Sequence, residues 1–309
     1  MSTPSKSPKR LLPFEHSIIT RAVHWILSRV GLFQTIIMFM WLAERMQHNT
    51  EPPFQPWVIY VHAAVGLIAS TGLSARFLAR ISLYALTAVQ LHTAYLCAFE
   101  SNLSYPRWLR TRVALRSLAA GAIYLRMLGV QVNSDEQRVP AQFPKSSPSG
   151  PYAIGLTLMA VFTGITGLLS FPGRLLQIDR NAQLIEQTAH WPLLAGLASC
   201  INFCIGLCLC VASLLHTVPL LVTWNLLPSH NHLQNRLFRL GDFLTLIGLV
   251  ALLLVRDSHV QYWVVNGCEF WLHCHLLLNS FIIFAGILIT ADLSKASERH
   301  GNVKRTKLA

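Results

Sequence analysis

Apolar runs of about 20 residues recur along this chain, and nothing else in the sequence limits its fold so strongly. Twenty helical residues at 1.5 Å each cross the roughly 30 Å hydrocarbon core of a bilayer. Such runs occupy Ala22–Ala43, Pro56–Leu73, Phe77–Phe99, Val113–Val130, Tyr152–Phe171, Leu240–Val255 and Phe270–Ile289. A longer one, Trp191–Leu227, exceeds a single perpendicular span, so one helix is expected at Pro192–His216, with Pro219 breaking it. The expectation is an all-α polytopic transmembrane helix bundle of about eight spans. Val113–Val130 carries Arg116 and Arg126; if it lies on the membrane surface, the count is seven.

Composition agrees. Hydrophobic residues make up 53% of the chain and charged residues 12%, too few to cover the surface of a soluble protein of this length. Disorder, coiled coil and a secreted disulfide scaffold are excluded on the same ground. The net charge is +12, which in a soluble protein would suggest nucleic acid. Here the excess sits largely in the tails and short connections, where it meets anionic headgroups, so nucleic acid is not an expected partner. The seven cysteines form no CxxC pair, which argues against a zinc site.

The chain divides into a basic tail (1–21), a first group of four spans (22–130), a polar loop (131–151), a second group of four (152–293) and a basic tail (294–309). A charged segment at 173–190 reads as a surface element. Lys and Arg in short connections set topology. With eight spans both tails are cytosolic, and Arg76, Arg80, Arg236 and Arg239 share that side. Arg107, Arg110 and Arg112 form a discordant cluster opposite. In this topology the sequon Asn102-Leu103-Ser104 is non-cytosolic, and the terminal Arg305-Thr306-Lys307-Leu308-Ala309 looks like a dilysine-type retrieval signal. Together they point to the endoplasmic reticulum.

Ionisable groups inside a bilayer are expensive, so intramembrane histidines are the first candidates for chemistry. Helical rise places His62 and His92 about 9–10 Å inside the same membrane face on neighbouring helices. His24 and His216 fall near the opposite face. Two layers of paired imidazoles could hold two b-type haems. Arg21-Ala22-Val23-His24-Trp25 resembles the first-helix opening of bacterial b561-type cytochromes. His62-Ala63-Ala64-Val65-Gly66 with downstream Arg76 is similar to their second helix. The resemblance implies haem ligation by these histidines; it ends there, since no later helix carries a matching histidine pair.

Other catalytic constellations are missing. His230-Asn231-His232 and His273-Cys274-His275 lack the further histidine boxes of a di-iron enzyme, and residues at i and i+2 point about 200° apart on a helix. No G-x-S-x-G, H-E-x-x-H or Walker sequence occurs. Glu100, Asp242, Glu269 and Asp292 sit at helix ends, which disfavours an ion-driven carrier. Gln34, Gln90, Asn202 and Asn279 read as helix-to-helix hydrogen-bonding groups, and Arg116 and Arg126 as snorkelling to opposite faces. Cys200, Cys204 and Cys208 share a stripe with Ala212, beside Gly196 and Gly206, expected to pack against a neighbouring helix. The leading expectation is a non-catalytic subunit or organiser of a membrane assembly, with the bilayer and other membrane proteins as partners. The alternatives are a di-haem electron-transfer protein using His24, His62, His92 and His216, and a lipid or small-solute transporter.

Overall fold

The computed structural model describes residues 25–48, 54–75, 78–100, 107–136, 150–171, 192–223, 231–257 and 269–308, with Val23 and Tyr105. Eight long helices account for most of them: α1 (Val30–Gln47), α2 (Pro56–Ser74), α3 (Ala79–Phe99), α4 (Arg107–Glu136), α5 (Gly150–Ser170), α6 (Pro192–Thr223), α7 (Asn231–Leu252) and α8 (Phe270–Leu308). Seven of these, α2 to α8, contain a stretch long and apolar enough to cross a membrane. The protein is therefore an all-α, multi-pass integral membrane protein. α1 is less apolar because its last turn carries Glu44 and Arg45, and both are engaged by the start of α8.

Consecutive helices run antiparallel and pack side by side from α1 round to α7, and α8 closes the ring against α1 and α7. α4 and α8 also pack against each other through the middle, dividing the ring into an α1–α3 side and an α5–α7 side. The α1–α2, α3–α4 and α7–α8 connections share one end of the bundle, termed the upper end. α4 is the most enclosed of the spans. It supplies Ala119, Ala120, Ile123, Tyr124 and Leu128 to the principal core, facing Leu83 and Leu86 of α3, Phe162 of α5, and Ile282 and Ile283 of α8.

In lipid, helices gain little from hiding apolar surface, so contact comes from close backbone approach and polar pairing. Two glycine crossings provide the approach. A Cβ on Gly31 of α1 would lie 2.5 Å from the carbonyl oxygen of Gly66 on α2. A Cβ on Gly206 of α6 would lie 3.0 Å from the carbonyl oxygen of Gly167 on α5. Hydroxyls fasten the same crossings: Ser70 donates to the Ser28 carbonyl (2.6 Å) and Ser213 to the Ala160 carbonyl (2.7 Å).

The helix containing Val113–Val130 is an interior span, as the eight-span reading expects. Other expectations change. That helix continues to Glu136, into the stretch expected to be loop. α6 runs through Pro219 to Thr223; near a helix end a proline removes only one backbone bond, and membrane helices accommodate it. α7 starts at Asn231, and its last residues, Leu253–Asp257, form a π turn. The cysteine stripe does not pack as a unit. Cys200 and Cys204 are exposed, Cys208 donates to the Leu244 carbonyl of α7, and Gly206 makes the close contact. The basic tail at 1–21, the 173–190 segment and the sequon lie outside the described residues.

Replacing Gly31 by Ala should lower stability in detergent by about 1–3 kcal/mol, as overpacking does. Gly150→Ala, where nothing lies within 4 Å of the added carbon, should leave the unfolding midpoint unchanged or slightly raised. Thermal unfolding followed by helical circular dichroism compares the two.

Candidate functional site

The bundle interior contains two polar layers separated by apolar packing. Both are anchored on α4. In the upper layer Arg116 donates to Asp257 (3.0 Å) and to the Ser280 hydroxyl, while Arg112 reaches the other oxygen of Asp257. In the lower layer Arg126, fully buried, meets Asp242 through both terminal nitrogens (3.0 and 2.8 Å) and donates to the Thr290 hydroxyl (3.1 Å). Each arginine thus joins a carboxylate from α7 or its π turn to a hydroxyl of α8. Ser280 and Thr290 give their own hydrogens to the Leu276 and Ile287 carbonyls, so their lone pairs are turned to the guanidinium. The step from Arg116 to Arg126 on α4 equals that from Ser280 to Thr290 on α8, because the two helices run parallel in register.

Snorkelling is accordingly not what these arginines do. Their charge is answered inside the bundle, and Asp242, placed at a helix end from sequence, lies within a spanning stretch of α7. Phe238 packs its ring 5.0 Å from the Arg126 guanidinium carbon. The discordant basic cluster is tied to protein too: Arg110 donates to the carbonyls of Cys97 (3.1 Å), Ala98 (3.3 Å) and Glu100 at the end of α3.

The upper layer extends toward α1 and α2. Asn279 of α8 donates to Ser117 Oγ (3.2 Å) and to His275 Nε2 (3.1 Å), and accepts from Gln34 Nε2 (3.2 Å). Gln34 and Asn279 therefore bond helix to helix as their mid-span positions suggested. The His275 ring lies 6.2 Å from Trp41, stacked, and Trp41 Nε1 donates to the Tyr105 hydroxyl (3.0 Å). Burial pushes the Tyr105 phenol above its ordinary range, and neighbouring Glu269 adds to the effect. Glu269 pairs with Arg45 (3.2 Å). Glu44 accepts the backbone N–H groups of Phe270 (3.0 Å) and Trp271 (3.1 Å), a carboxylate cap at the positive end of α8.

His62 and His92 are brought together, as their matched depth implied: Nε2 of His62 lies 2.7 Å from Nδ1 of His92, with the rings at 79°. His216 is in the lower layer, fully buried. Its Nε2 is 3.1 Å from Thr245 Oγ1 and 3.9 Å from Asp242 Oδ1. Since Thr245 donates to the Gly241 carbonyl (2.8 Å), His216 Nε2 is the donor. His24 lies outside the described residues. Two axial imidazoles lie on opposite faces of a macrocycle with the iron between them, whereas His62 and His92 hydrogen-bond to each other directly. Among the described residues no group of three His, Cys, Asp or Glu side chains is placed to hold a metal ion. Sequence reasoning weighed His275 only as half of an H-x-H pair; its partners are Asn279 and Trp41, and the signal was its spacing four residues before Asn279 on a helix with an apolar remainder.

Comparison with known proteins adds no assignment: no family model, no curated protein and no solved structure matches the chain.

Truncating Arg126 to Leu leaves Asp242 as an unanswered buried charge and should cost about 3–5 kcal/mol. Arg126→Leu with Asp242→Leu should recover most of that loss, a coupling measurable as a double-mutant cycle. The purified detergent-solubilised protein should show no Soret band; a bis-histidine haem spectrum abolished by His62→Leu would contradict the direct imidazole contact.

Proposed function

We propose that the protein is a non-catalytic subunit of a membrane assembly that docks a partner helix on the outer face of α3. One observation carries this reading. Ile81, Tyr84, Ala88, His92, Tyr95 and Phe99 are exposed at steps of three and four residues, which puts them on one face of the helix. An imidazole, two phenols and a small residue at its centre thereby face outward from a spanning helix. His92 lies seven residues from the end of α3, about 10 Å in from that end.

A polar side chain at that depth gains by meeting a partner that can hydrogen-bond to it, and lipid tails cannot. Ala88, between Tyr84 and His92, leaves room for another helix to approach. Aromatic anchors around a small, well-packed centre are what transmembrane and soluble interfaces use alike. The interior ion pairs suit the same reading: they hold α4, α7 and α8 in fixed register, so the outer face is presented rigidly. The sequon, non-cytosolic in the topology that places both basic tails in the cytosol, supports a place in the endoplasmic reticulum.

A photoreactive residue at Ala88 in cells should give a discrete protein adduct, and one at Leu214, exposed on α6, should give lipid adducts alone. His92→Leu should reduce the Ala88 adduct. Lipid adducts at both positions would refute the docking face.

A further inference from the structure

A small cavity lies between α1, α2, α3 and α8 beside the upper polar layer, lined by Gln34, Thr35, His62, Gln90, Thr93 and His275. The space open to the centre of a water molecule is about 10 Å³, enough for one water and not two. Five of these side chains are almost completely enclosed, among them His62 (4% exposed), Gln90 (1%) and His275 (3%). Within the protein, Nδ1 of His62, Nδ1 of His275 and both polar atoms of the Gln90 amide have no hydrogen-bond partner. A buried polar atom without a partner forfeits the hydrogen bond it makes in water. Four such atoms around one polar cavity call for a ligand that both donates and accepts.

We infer that this cavity binds one structural water molecule, which joins His275, Gln90 and His62 and fixes the proton positions of three imidazoles. Asn279 uses both of its amide hydrogens, on Ser117 and on His275 Nε2. Nε2 of neutral His275 is therefore the acceptor, and its proton is on Nδ1, at the cavity. That N–H donates to the water. The water donates one hydrogen to His62 Nδ1 and the other to Gln90 Oε1, giving it the three bonds typical of buried waters. His62, accepting at Nδ1, carries its proton on Nε2 and donates it to His92 Nδ1, 2.7 Å away. The proton of His92 is then on Nε2, at the open end of the file, on the exposed side of α3.

The file runs Asn279, His275, water, His62, His92 with every donor pointing the same way. Its inner end is an amide, which does not pass protons on, so the file holds a polarity and does not conduct. If α3 docks a partner on its outer face, the group that meets His92 is a hydrogen-bond acceptor such as a carbonyl oxygen; that step alone rests on the docking reading.

The test uses the full chain, labelled with ¹⁵N-histidine, in lipid bilayers at a pH where the imidazoles are neutral. Solid-state NMR distinguishes protonated from bare imidazole nitrogens, and single-histidine variants assign them. The expected pattern is a proton on Nδ1 of His275 and on Nε2 of His62 and His92, with magnetisation transfer from water to Nδ1 of both His275 and His62. Gln90→Leu should abolish the water transfer while the nitrogen–nitrogen coupling between His62 and His92 persists, reporting an intact fold. Water transfer to neither nitrogen in the unsubstituted protein, or a proton on His62 Nδ1, overturns the inference. No partner is needed for this measurement. A failed Ala88 cross-link with the water signal intact removes the docking reading alone.

Discussion

Everything in this bundle depends on how the two arginines inside α4 are answered. A guanidinium surrounded by hydrocarbon is tolerable only if a carboxylate and further acceptors take up its charge and its hydrogens. Arg126 obtains both from Asp242 and Thr290, and Arg116 from Asp257 and Ser280. Those acceptors lie on α7, its π turn and α8, so the same contacts that neutralise the charge determine which helices flank α4 and at what height. An apolar helix pair could slide or rotate at little cost in lipid. Two charge-and-hydroxyl contacts, spaced alike on α4 and α8, forbid both movements. Pairs of this kind are poor sources of net stability and good sources of register.

That arrangement explains which features were legible in the sequence. The spans α2, α3, α5 and α8 follow from run length alone, since oil on every side needs apolar residues all round a helix. α4 was hardest to recognise because hydropathy counts its arginines as a penalty and is blind to partners. Asp242 and Asp257 are 116 and 141 residues away, and no local pattern announces such a pair. The same blindness turned Asp242 into a helix end and made snorkelling the natural account of Arg126. Helical rise did better with the histidines, because depth is a local property once a span is known. It put His62 beside His92 and His216 in the other layer, although it could not distinguish imidazoles that flank a metal from imidazoles that bond to each other. The difference is a few ångströms of lateral spacing, fixed by the Gly31–Gly66 crossing and by Ser82 packed near Gly72, which set how closely α1, α2 and α3 approach.

The two sides of the ring are built differently. On the α5–α7 side, the helices meet through Gly167 and Gly206, Leu209 against Gly248, and the His216–Thr245 contact. On the α1–α3 side, buried polar groups face a shared cavity. Gln90 and the free nitrogens of His62 and His275 converge there on one small space. Convergence of several such atoms on one enclosed space is informative, because buried polar atoms are very largely bonded in folded proteins. The excess polarity sits directly behind the face of α3 that carries His92.

His92 belongs to both the interior network and the exposed face, and this gives the α1–α3 side a property that the other side lacks. An imidazole accepts at one ring nitrogen only while the other carries the proton. A group that meets His92 from outside therefore acts on His62 through the ring between them, and through His62 on whatever occupies the cavity. An acceptor at His92 is compatible with the order that Asn279 imposes from the opposite end. A donor there would require every imidazole in the file to exchange its proton position, and Asn279 would be left donating to a nitrogen that already bears hydrogen. The amide cannot reverse without giving up its bonds to Ser117 and Gln34 as well, which ties the choice of outside group to the α4–α8–α1 contact at the centre of the fold. The group that the proposed docking would place against His92 is in this way tied to the same layer of polar contacts that keeps the helices in register.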